Sequence, residues 1–316
     1  MESLKTVVVE NTRSCNLRCK ICPTVYARNF PAGFMDMETF HMILDHISPT
    51  IFPECALMGW GEPFLDPKYF DKLDHLKRTG YAVGSATNAT LLTRDLILGL
   101  QDSGLDLLNV SIDLFHIKAA KVTLDELIGR LLSALTSLSE QQISFKIGVT
   151  VVLGKNALGF LPILLERLQD LPVFHIGVIP FIMIPSEECF SDLAKAEDML
   201  RLKQVTDEKF PSLNVEFQYL DEPPSGNCRS DVFRNVWITY EGEVAPCCTL
   251  AMEFPNYTFD GQRYQTRLLS FGSLIETAFQ DIWTSASYVA FRNSFRAGDI
   301  PPVCRCCNAW QRLPAK

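Results

Sequence analysis

Three closely spaced cysteines near the start of this 316-residue chain constrain its fold and chemistry more than any other feature. Cys15, Cys19 and Cys22 follow the pattern C-x3-C-x2-C. A [4Fe–4S] cluster takes a thiolate on every iron, and a closed structural zinc site takes four Cys or His ligands. No fourth Cys or His follows within the next turn, so a cluster held here keeps one iron open, where a substrate can bind. The alternatives are a zinc knuckle and three unrelated thiols.

The order of strand-like and helix-like segments predicts a parallel α/β sheet in the first 180 residues. β-branched and apolar runs predict strands at Thr6–Glu10, Cys55–Trp60, Ala82–Ala86, Leu107–Ile112, Ser144–Val152 and Phe174–Phe181. Apolar residues at helical spacing predict helices at Met37–Ile47, Pro67–Lys77, Thr93–Ser103, Thr123–Leu138 and Leu158–Leu168, with Asp66 and Thr93 as N-caps. Ligands of parallel sheets bind at the carboxyl ends of strands, which is where the cysteines lie.

A change in composition divides the chain in two. The turn-forming string Asp221–Gly226 predicts a boundary between a domain of residues 1–220 and a domain of residues 221–316. The segment before the boundary predicts a helix at Ser191–Phe210 and a strand at Asn214–Tyr219. The segment after it predicts a β-hairpin of Val236–Tyr240 and Glu243–Ala245, a polar loop over Met252–Ser270, and one or two helices within Leu274–Arg296.

Composition excludes several classes of protein. A net charge of −8 argues against nucleic acid or an anionic membrane as the main partner. No run of 18 apolar residues predicts a transmembrane helix, and no signal-peptide pattern precedes the first strand. Eleven cysteines in a chain without a secretion signal indicate metal binding rather than disulfides, so we expect a cytoplasmic protein.

The cysteine motif, with Ile21 just before its last cysteine, resembles that of the radical S-adenosylmethionine (SAM) superfamily. In that family the three thiolates hold a [4Fe–4S] cluster and SAM chelates the fourth iron. An electron from the cluster cleaves SAM to methionine and a 5′-deoxyadenosyl radical. The resemblance implies a partial (β/α)6 barrel, related to the TIM barrel.

Further short motifs extend the resemblance along the barrel. The string Gly59–Pro63 resembles the family's Gly-Gly-Glu element, which implies that Gly61 and Glu62 hold the amino group of SAM. Thr87-Asn88-Ala89 and Ser111-Ile112-Asp113 resemble Thr-Asn-Gly and Ser-x-Asp elements. The resemblance places Asn88, Ser111 and Asp113 near the SAM ribose or carboxylate, and Ile179 against the adenine. Strand-end caps and a core isoleucine are the ordinary alternatives.

A second set of cysteines lies beyond the boundary. A hairpin can bring Cys228 near Cys247, and Cys304 and Cys307 form a C-x2-C knuckle. Four thiolates can close a zinc site or hold a [4Fe–4S] cluster. The strings Gly242–Cys247 and Phe271–Leu274, followed by the knuckle, resemble the SPASM/Twitch extension of radical SAM enzymes. The layout is closest to the short form of 2-deoxy-scyllo-inosamine dehydrogenase, which implies one auxiliary [4Fe–4S] cluster.

The remaining candidates bear on the type of reaction. Cys248 and Cys189 are candidate hydrogen-atom donors, and His116 is a candidate substrate contact. We expect a net oxidation, because the short single-cluster form resembles a dehydrogenase. We expect a small polar substrate, because no peptide-recognition module precedes the first strand. The alternatives are an epimerase or ribosomal-peptide maturase that uses Cys248 or Cys189, and a non-catalytic electron-transfer or zinc protein. A flavodoxin or ferredoxin is the expected electron donor.

Overall fold

A computed structural model describes residues 4–136, 145–221 and 228–310 of the chain. In these residues nine strands form one sheet and two more form a hairpin. The strands of the sheet are β1 (Thr6–Val9), β2 (Glu54–Leu57), β3 (Ala82–Thr87), β4 (Leu107–Ser111), β5 (Lys146–Leu153), β6 (Val173–Pro180), β7 (Val215–Phe217), β8 (Asn235–Ile238) and β9 (Val244–Ala245). Their order is β7-β6-β5-β4-β3-β2-β1-β8-β9, and neighbours from β7 to β8 pair in parallel. The parallel sheet predicted from the alternation of segments is confirmed.

Ten α-helices connect or follow these strands in the part of the chain that is described. They are α1 (Met37–His46), α2 (Tyr69–Thr79), α3 (Arg94–Asp102), α4 (Leu114–Ala120), α5 (Leu124–Thr136), α6 (Phe160–Leu168), α7 (Glu187–Ser191), α8 (Ala196–Lys209), α9 (Phe279–Thr284) and α10 (Ala286–Arg296). Thr93 caps α3 as predicted, accepting a hydrogen bond from Leu96 N. Asp66 does not cap α2, which begins after Lys68. The C-terminal parts of two predictions, Thr123–Leu138 and Asp221–Gly226, lie outside the described residues.

The sequence missed several short elements. Helices α4 and α7 were not predicted, and the predicted helix Ser191–Phe210 begins only at Ala196. The predicted loop Met252–Ser270 contains a hairpin, β10 (Pro255–Tyr257) with β11 (Arg263–Gln265). Its polar composition concealed these strands, because each is only three residues long and carries no apolar alternation. The stretch Leu274–Arg296 forms two helices, α9 and α10.

The C-terminal hairpin extends the barrel sheet. Strand β8 pairs in parallel with β1 from Thr6↔Asn235 to Val9↔Ile238, and β9 pairs antiparallel with β8. The predicted hairpin is therefore confirmed, and it is hydrogen-bonded directly to the strand that leads into the cysteine motif. The second cysteine set is consequently attached beside the first.

Side chains alternate between the two faces of the sheet. On one face, Val7, Val9 and Leu57 are fully buried in the main apolar core with residues of the helices. The opposite face carries mainly small side chains on its central strands, including Ala56, Gly84, Ala86, Ser111 and Thr150. Closed barrels fill this space with bulky residues. The small side chains here leave room for ligands inside the sheet's curve. None of the described helices is long and apolar enough to cross a membrane.

Candidate functional site

The three N-terminal cysteines lie in the loop that follows β1. Cys22 N donates to Cys19 O at 2.9 Å, which folds the motif into a turn. Leu17 N donates to Cys15 Sγ at 3.4 Å. All three sulfurs line one pocket of about 160 Å³. Because three thiols share one cavity beside open space, the donor set fits a cluster with one unligated iron.

The pocket collects most of the residues predicted to bind SAM. Besides the cysteines it is lined by these predicted residues: Gly61, Glu62, Asn88, Ser111 and His116. They come from the loops after β2 and β3, from the last residue of β4 and from the start of α4. The carboxyl ends of parallel strands meet at one sheet edge, which explains why residues so distant in sequence converge.

Glu62 is buried and already well supported by hydrogen bonds. Thr87 Oγ1 donates to Glu62 Oε1 at 2.8 Å, and Asn88 N donates to Oε2 at 2.8 Å. Burial raises the pKa of Glu62, whereas the hydrogen bonds from Asn88 and Thr87 lower it. Phe64 N also donates to Oε1, at 3.5 Å, so Oε2 is the oxygen that retains acceptor capacity. Glu62 is thus an oriented acceptor inside the pocket, as a bound ammonium group requires.

Gly61 is required by the close approach of two loops. Gly61 N donates to Thr12 O at 3.1 Å, and Glu62 N donates to Ser14 O at 2.8 Å. A Cβ atom at Gly61 would overlap Ser14 O. The Gly-Glu segment therefore lies directly against the backbone that leads into Cys15.

Asn88 connects the third strand to the cysteine loop. Its Nδ2 donates to Asn16 Oδ1 at 2.9 Å and lies 3.8 Å from Cys15 Sγ. The next residue, Ala89, has φ of +64°, the left-handed conformation that the family's glycine adopts freely. The structure keeps this turn despite the alanine, with Ala89 N donating to Thr87 Oγ1.

Asp113 and His116 form a pair at the start of α4. Asp113 is fully buried and caps the helix, since its Oδ1 accepts from Phe115 N and His116 N at 2.9 Å. Its Oδ2 lies 2.7 Å from His116 Nδ1. Burial lowers the pKa of His116, but Asp113 and the neighbouring Cys19 together raise it well above its usual value. Asp113 therefore orients His116 instead of lining the pocket itself.

Two predicted isoleucines lie outside the residues that line this pocket. Ile179, on β6, is half-buried and pairs with Val152. Ile21 packs half-buried against the main apolar core. Their predicted contacts with SAM and its cluster stay predictions.

The C-terminal cysteines come together in a second, largely apolar cavity. Cys228, Cys247, Cys304 and Cys307 all line it. Burial raises the pKa of each thiol, in Cys307 to about 12, so metal binding must displace their protons. In the described residues no three Cys, His, Asp or Glu side chains are arranged to hold a single metal ion. Four thiols that line one cavity supply the ligand set of a [4Fe–4S] cluster.

The two candidate hydrogen donors lie in different places. Cys248 and Trp60 are half-buried, and both pack against a small buried apolar cluster of Trp237, Ala245 and Ala251. Trp60 also lines the N-terminal cysteine pocket, so Cys248 lies between the two cysteine sets. Cys189, on α7, donates its Sγ–H to Lys20 O at 3.5 Å and lies behind the cysteine loop.

Sequence reasoning missed the residues that fasten the C-terminal segment to the barrel. Asn308 is fully buried, and its Nδ2 donates to Ile182 O and Tyr257 O at 3.1 and 2.9 Å. Its Oδ1 accepts from Phe259 N at 2.9 Å. The signal was its position directly after Cys307, but a polar residue in a knuckle is normally exposed. Arg13, which pairs with Glu241, was missed in the same way.

Comparisons with known proteins agree with this geometry. The family model described as "Radical SAM superfamily" matches residues 9–178, and that described as "Iron-sulfur cluster-binding domain" matches residues 228–308. A Pyrococcus furiosus protein, "Tungsten-containing aldehyde ferredoxin oxidoreductase cofactor-modifying protein", is 29% identical over 302 residues, covering 92% of this chain and 83% of that protein.

Two solved structures share the fold. Streptococcus suis SuiB bound to the precursor peptide SuiA superposes with a TM-score of 0.69 at 15% identity, covering 98% of this chain and 71% of SuiB. BtrN in complex with AdoMet and 2-DOIA gives a TM-score of 0.56 at 15% identity, covering 100% of this chain and 97% of BtrN. The predicted partial barrel with a small C-terminal iron–sulfur domain is confirmed.

Proposed function

Because the chain belongs to the radical SAM superfamily, with an iron–sulfur domain after its barrel, we propose that it catalyses the net oxidation of a small polar substrate at an unactivated C–H bond. Its cofactors are SAM, the [4Fe–4S] cluster that binds SAM, and an auxiliary cluster. The observation that carries the proposal is the convergence of three thiols, Glu62 and Asn88 in one pocket at the sheet's carboxyl edge.

The barrel residues have distinct proposed roles. Cys15, Cys19 and Cys22 hold the SAM-binding cluster. Glu62 accepts from the amino group of SAM, and Gly61 lets that segment lie against the cysteine loop. Asn88 and Ser111 are proposed to contact the ribose or carboxylate of SAM, and Asp113 to act on that site by holding His116. Ile21 is proposed to contact the cluster, and Ile179 the adenine.

The C-terminal residues complete the proposed site. Cys228, Cys247, Cys304 and Cys307 hold the auxiliary cluster in a largely apolar cavity. When bound, the cofactors supply reductive cleavage of SAM, hydrogen-atom abstraction, and a centre that takes the second electron of the oxidation. The chain's own contribution is to position these groups and keep solvent away from them. We place the boundary between barrel and auxiliary domain near residue 221.

Support for a small substrate comes from the sheet and from relatives. The inner face of the sheet is lined by small side chains, which leaves room for a ligand beside SAM. The Pyrococcus relative is named for modifying a cofactor, and BtrN binds 2-DOIA. SuiB binds a precursor peptide, so a peptide is the competing substrate class.

Reductive cleavage of SAM tests the core of the proposal. The anaerobically reconstituted protein, reduced with dithionite or with a flavodoxin, should release 5′-deoxyadenosine from SAM. Cys15→Ala should abolish the release and leave the auxiliary cluster in place. No 5′-deoxyadenosine from the fully iron-loaded protein would instead support a non-catalytic electron-transfer protein.

The position of Cys248 favours epimerisation as a second candidate function. Cys248 packs against the same small buried cluster as Trp60, which lines the SAM pocket, so we place it close to a substrate held there. In this reaction the S–H bond breaks and a C–H bond forms on the substrate radical. The resulting thiyl radical then takes one electron from a flavodoxin or ferredoxin and one proton from solvent. Cys189 is less well placed, because its thiol donates to Lys20 O behind the loop.

Mass spectrometry in D2O separates the two reactions once a substrate turns over. Oxidation gives a product two hydrogens lighter, and Cys248→Ala keeps activity. Epimerisation gives a product of unchanged mass in H2O and a product with one added deuterium in D2O, because a thiol exchanges its hydrogen with solvent. Solvent deuterium in a product of otherwise unchanged composition would overturn the oxidation proposal.

A further inference from the structure

Arg13 joins the two cysteine-bearing regions at a single point. Its side chain is 5% exposed and lies two residues before Cys15. Its Nη1 and Nη2 donate to the two carboxylate oxygens of Glu241, each at 2.8 Å. Glu241 belongs to the turn between β8 and β9, and β9 leads to Cys247. The fork-to-fork geometry is the most directional ion pair that proteins form.

The guanidinium of Arg13 is held on every side. Its Nε donates to Glu10 Oε2 at 3.1 Å, and Glu10 is fully buried at the end of β1. The rings of Phe30 and Tyr240 lie on it, each with its centroid 4.3 Å from the guanidinium carbon. Phe30 belongs to the loop after the cysteine motif, and Tyr240 to the β8–β9 turn. Cation–π contacts of this kind strengthen when the cation is withdrawn from water.

Backbone hydrogen bonds further stabilise the segments around Arg13 and Glu10. Tyr240 N donates to Glu10 Oε2 at 3.1 Å, and Trp60 N donates to Glu10 Oε1 at 3.4 Å. Arg13 N donates to Gly33 O at 3.0 Å. A Cβ atom at Gly33 would lie 2.9 Å from the Tyr240 ring. Four segments of the chain therefore meet around one cation.

Arg13 lies where the paths to the two cysteine sets separate. Pairing of β1 with β8 ends at Val9↔Ile238, and beyond this pair the two segments that follow the strands diverge. One enters the cysteine loop, and the other enters the turn that leads to Cys247. Arg13 is the charged link across this divergence. We propose that Arg13 is a positioning residue that sets the separation of the SAM-binding cluster from the auxiliary cluster.

This inference rests on the proposed function, because it needs both clusters to be present. The rate at which an electron passes between two centres depends steeply on their distance. Fixing the separation therefore serves a reaction in which both centres take part. Arg13 links the two loops that lead to the cysteines, and its hydrogen bonds go to Glu10, Glu241 and Gly33 rather than to a cysteine.

Glu241→Gln is the cleanest test. The Glu241 side chain is 48% exposed, and without its charge the buried Arg13 still pairs with Glu10, whereas loss of Arg13 leaves the buried Glu10 without its cation. The measurement is the magnetic dipolar interaction between the two reduced clusters, by pulsed electron paramagnetic resonance. We expect a longer or more widely distributed distance between the clusters in Glu241→Gln. We expect a similar change in Arg13→Lys, which keeps the charge but loses the two parallel contacts of the guanidinium with Glu241.

Controls make the result decisive. Lys5→Gln removes a cation before β1 whose 4.0 Å pair with Glu54 is exposed, and it should leave the interaction as in the native protein. Iron content and SAM cleavage by the native protein test the proposed function separately. An unchanged separation in Glu241→Gln would overturn the inference. Loss of either cluster in Glu241→Gln would also overturn it, since the link would then act on cluster binding. If Arg13→Lys does not fold, Glu241→Gln alone decides.

Discussion

Lys72→Met should destabilise the protein severely, because it breaks a fully buried ion pair. Lys72 Nζ lies 2.6 Å from Asp66 Oδ2, and the two side chains are 0% and 1% exposed. Lys72 also donates to Met35 O at 2.5 Å, and Asn11 Nδ2 donates to Asp66 Oδ2 at 3.1 Å. The pair thus holds α2 against both the Gly-Glu-Pro loop and the end of β1.

The magnitude follows from what the substitution leaves behind. Without Lys72 the Asp66 carboxylate stays buried, with only Asn11 and the backbone N–H of Lys68 as donors. Removing one partner of a buried pair costs about 3–5 kcal/mol. With about 2 °C of melting temperature lost per kcal/mol in a chain of this size, the transition should fall by about 6–10 °C.

A neighbouring exposed pair supplies the control. Lys68, the residue before α2, lies 3.0 Å from Asp71 in the first turn of that helix, and both side chains are more than half exposed. Lys68→Met should cost less than about 1 kcal/mol. Anaerobic calorimetry of the two iron-loaded variants makes the comparison. Equal melting temperatures for Lys72→Met and Lys68→Met would refute the argument. The double variant Asp66→Asn/Lys72→Met should recover part of the loss, since no unpaired charge remains.

Three further predictions concern the sites. The reconstituted protein should hold about eight irons, and the Cys247→Ala variant should keep about four. Zinc in the C-terminal site of the native protein, in place of four of these irons, would contradict the auxiliary cluster. Glu62→Gln should weaken SAM binding about tenfold or more by equilibrium titration, because a charged hydrogen bond contributes roughly 1.5–3 kcal/mol; unchanged affinity would remove Glu62 from the site. Gly61→Ala should impair loading of the first cluster in iron assays, because its Cβ overlaps Ser14 O, and full loading would show that the loops can separate.

The fold was predictable where local pattern decides structure. The barrel strands β1 to β6 carry β-branched or apolar runs, so each was located to within a few residues. Helix α4 was missed, since it has only seven residues and begins directly after the strand-end motif. The β10–β11 hairpin was missed for the same reason of length. Short elements of this kind are stabilised by tertiary contacts such as those of Asn256 and Asn308, which periodicity does not report.

The candidate site was predictable because topology does most of the positioning. A parallel sheet delivers the carboxyl ends of all its strands to one edge, so polar residues that follow strands converge even when strand bounds are inexact. Glu62, Asn88 and Ser111 reach the pocket by this rule alone. Asp113 obeys the same rule but begins a helix, and its carboxylate is used to cap that helix and hold His116.

What sequence could not supply was the choice of partners between distant segments. Arg13 and Glu241 are 228 residues apart, and nothing local to either specifies the other. Their pairing depends on β8 joining β1, which a hairpin signal near Gly242 does not predict. Once that strand pairing exists, the two loops beyond it must diverge at a fixed place, and a buried cation there meets carboxylates from both. The relation between the two cysteine sets is therefore set by tertiary structure, whereas the proposed ligands of each cluster are visible in the sequence.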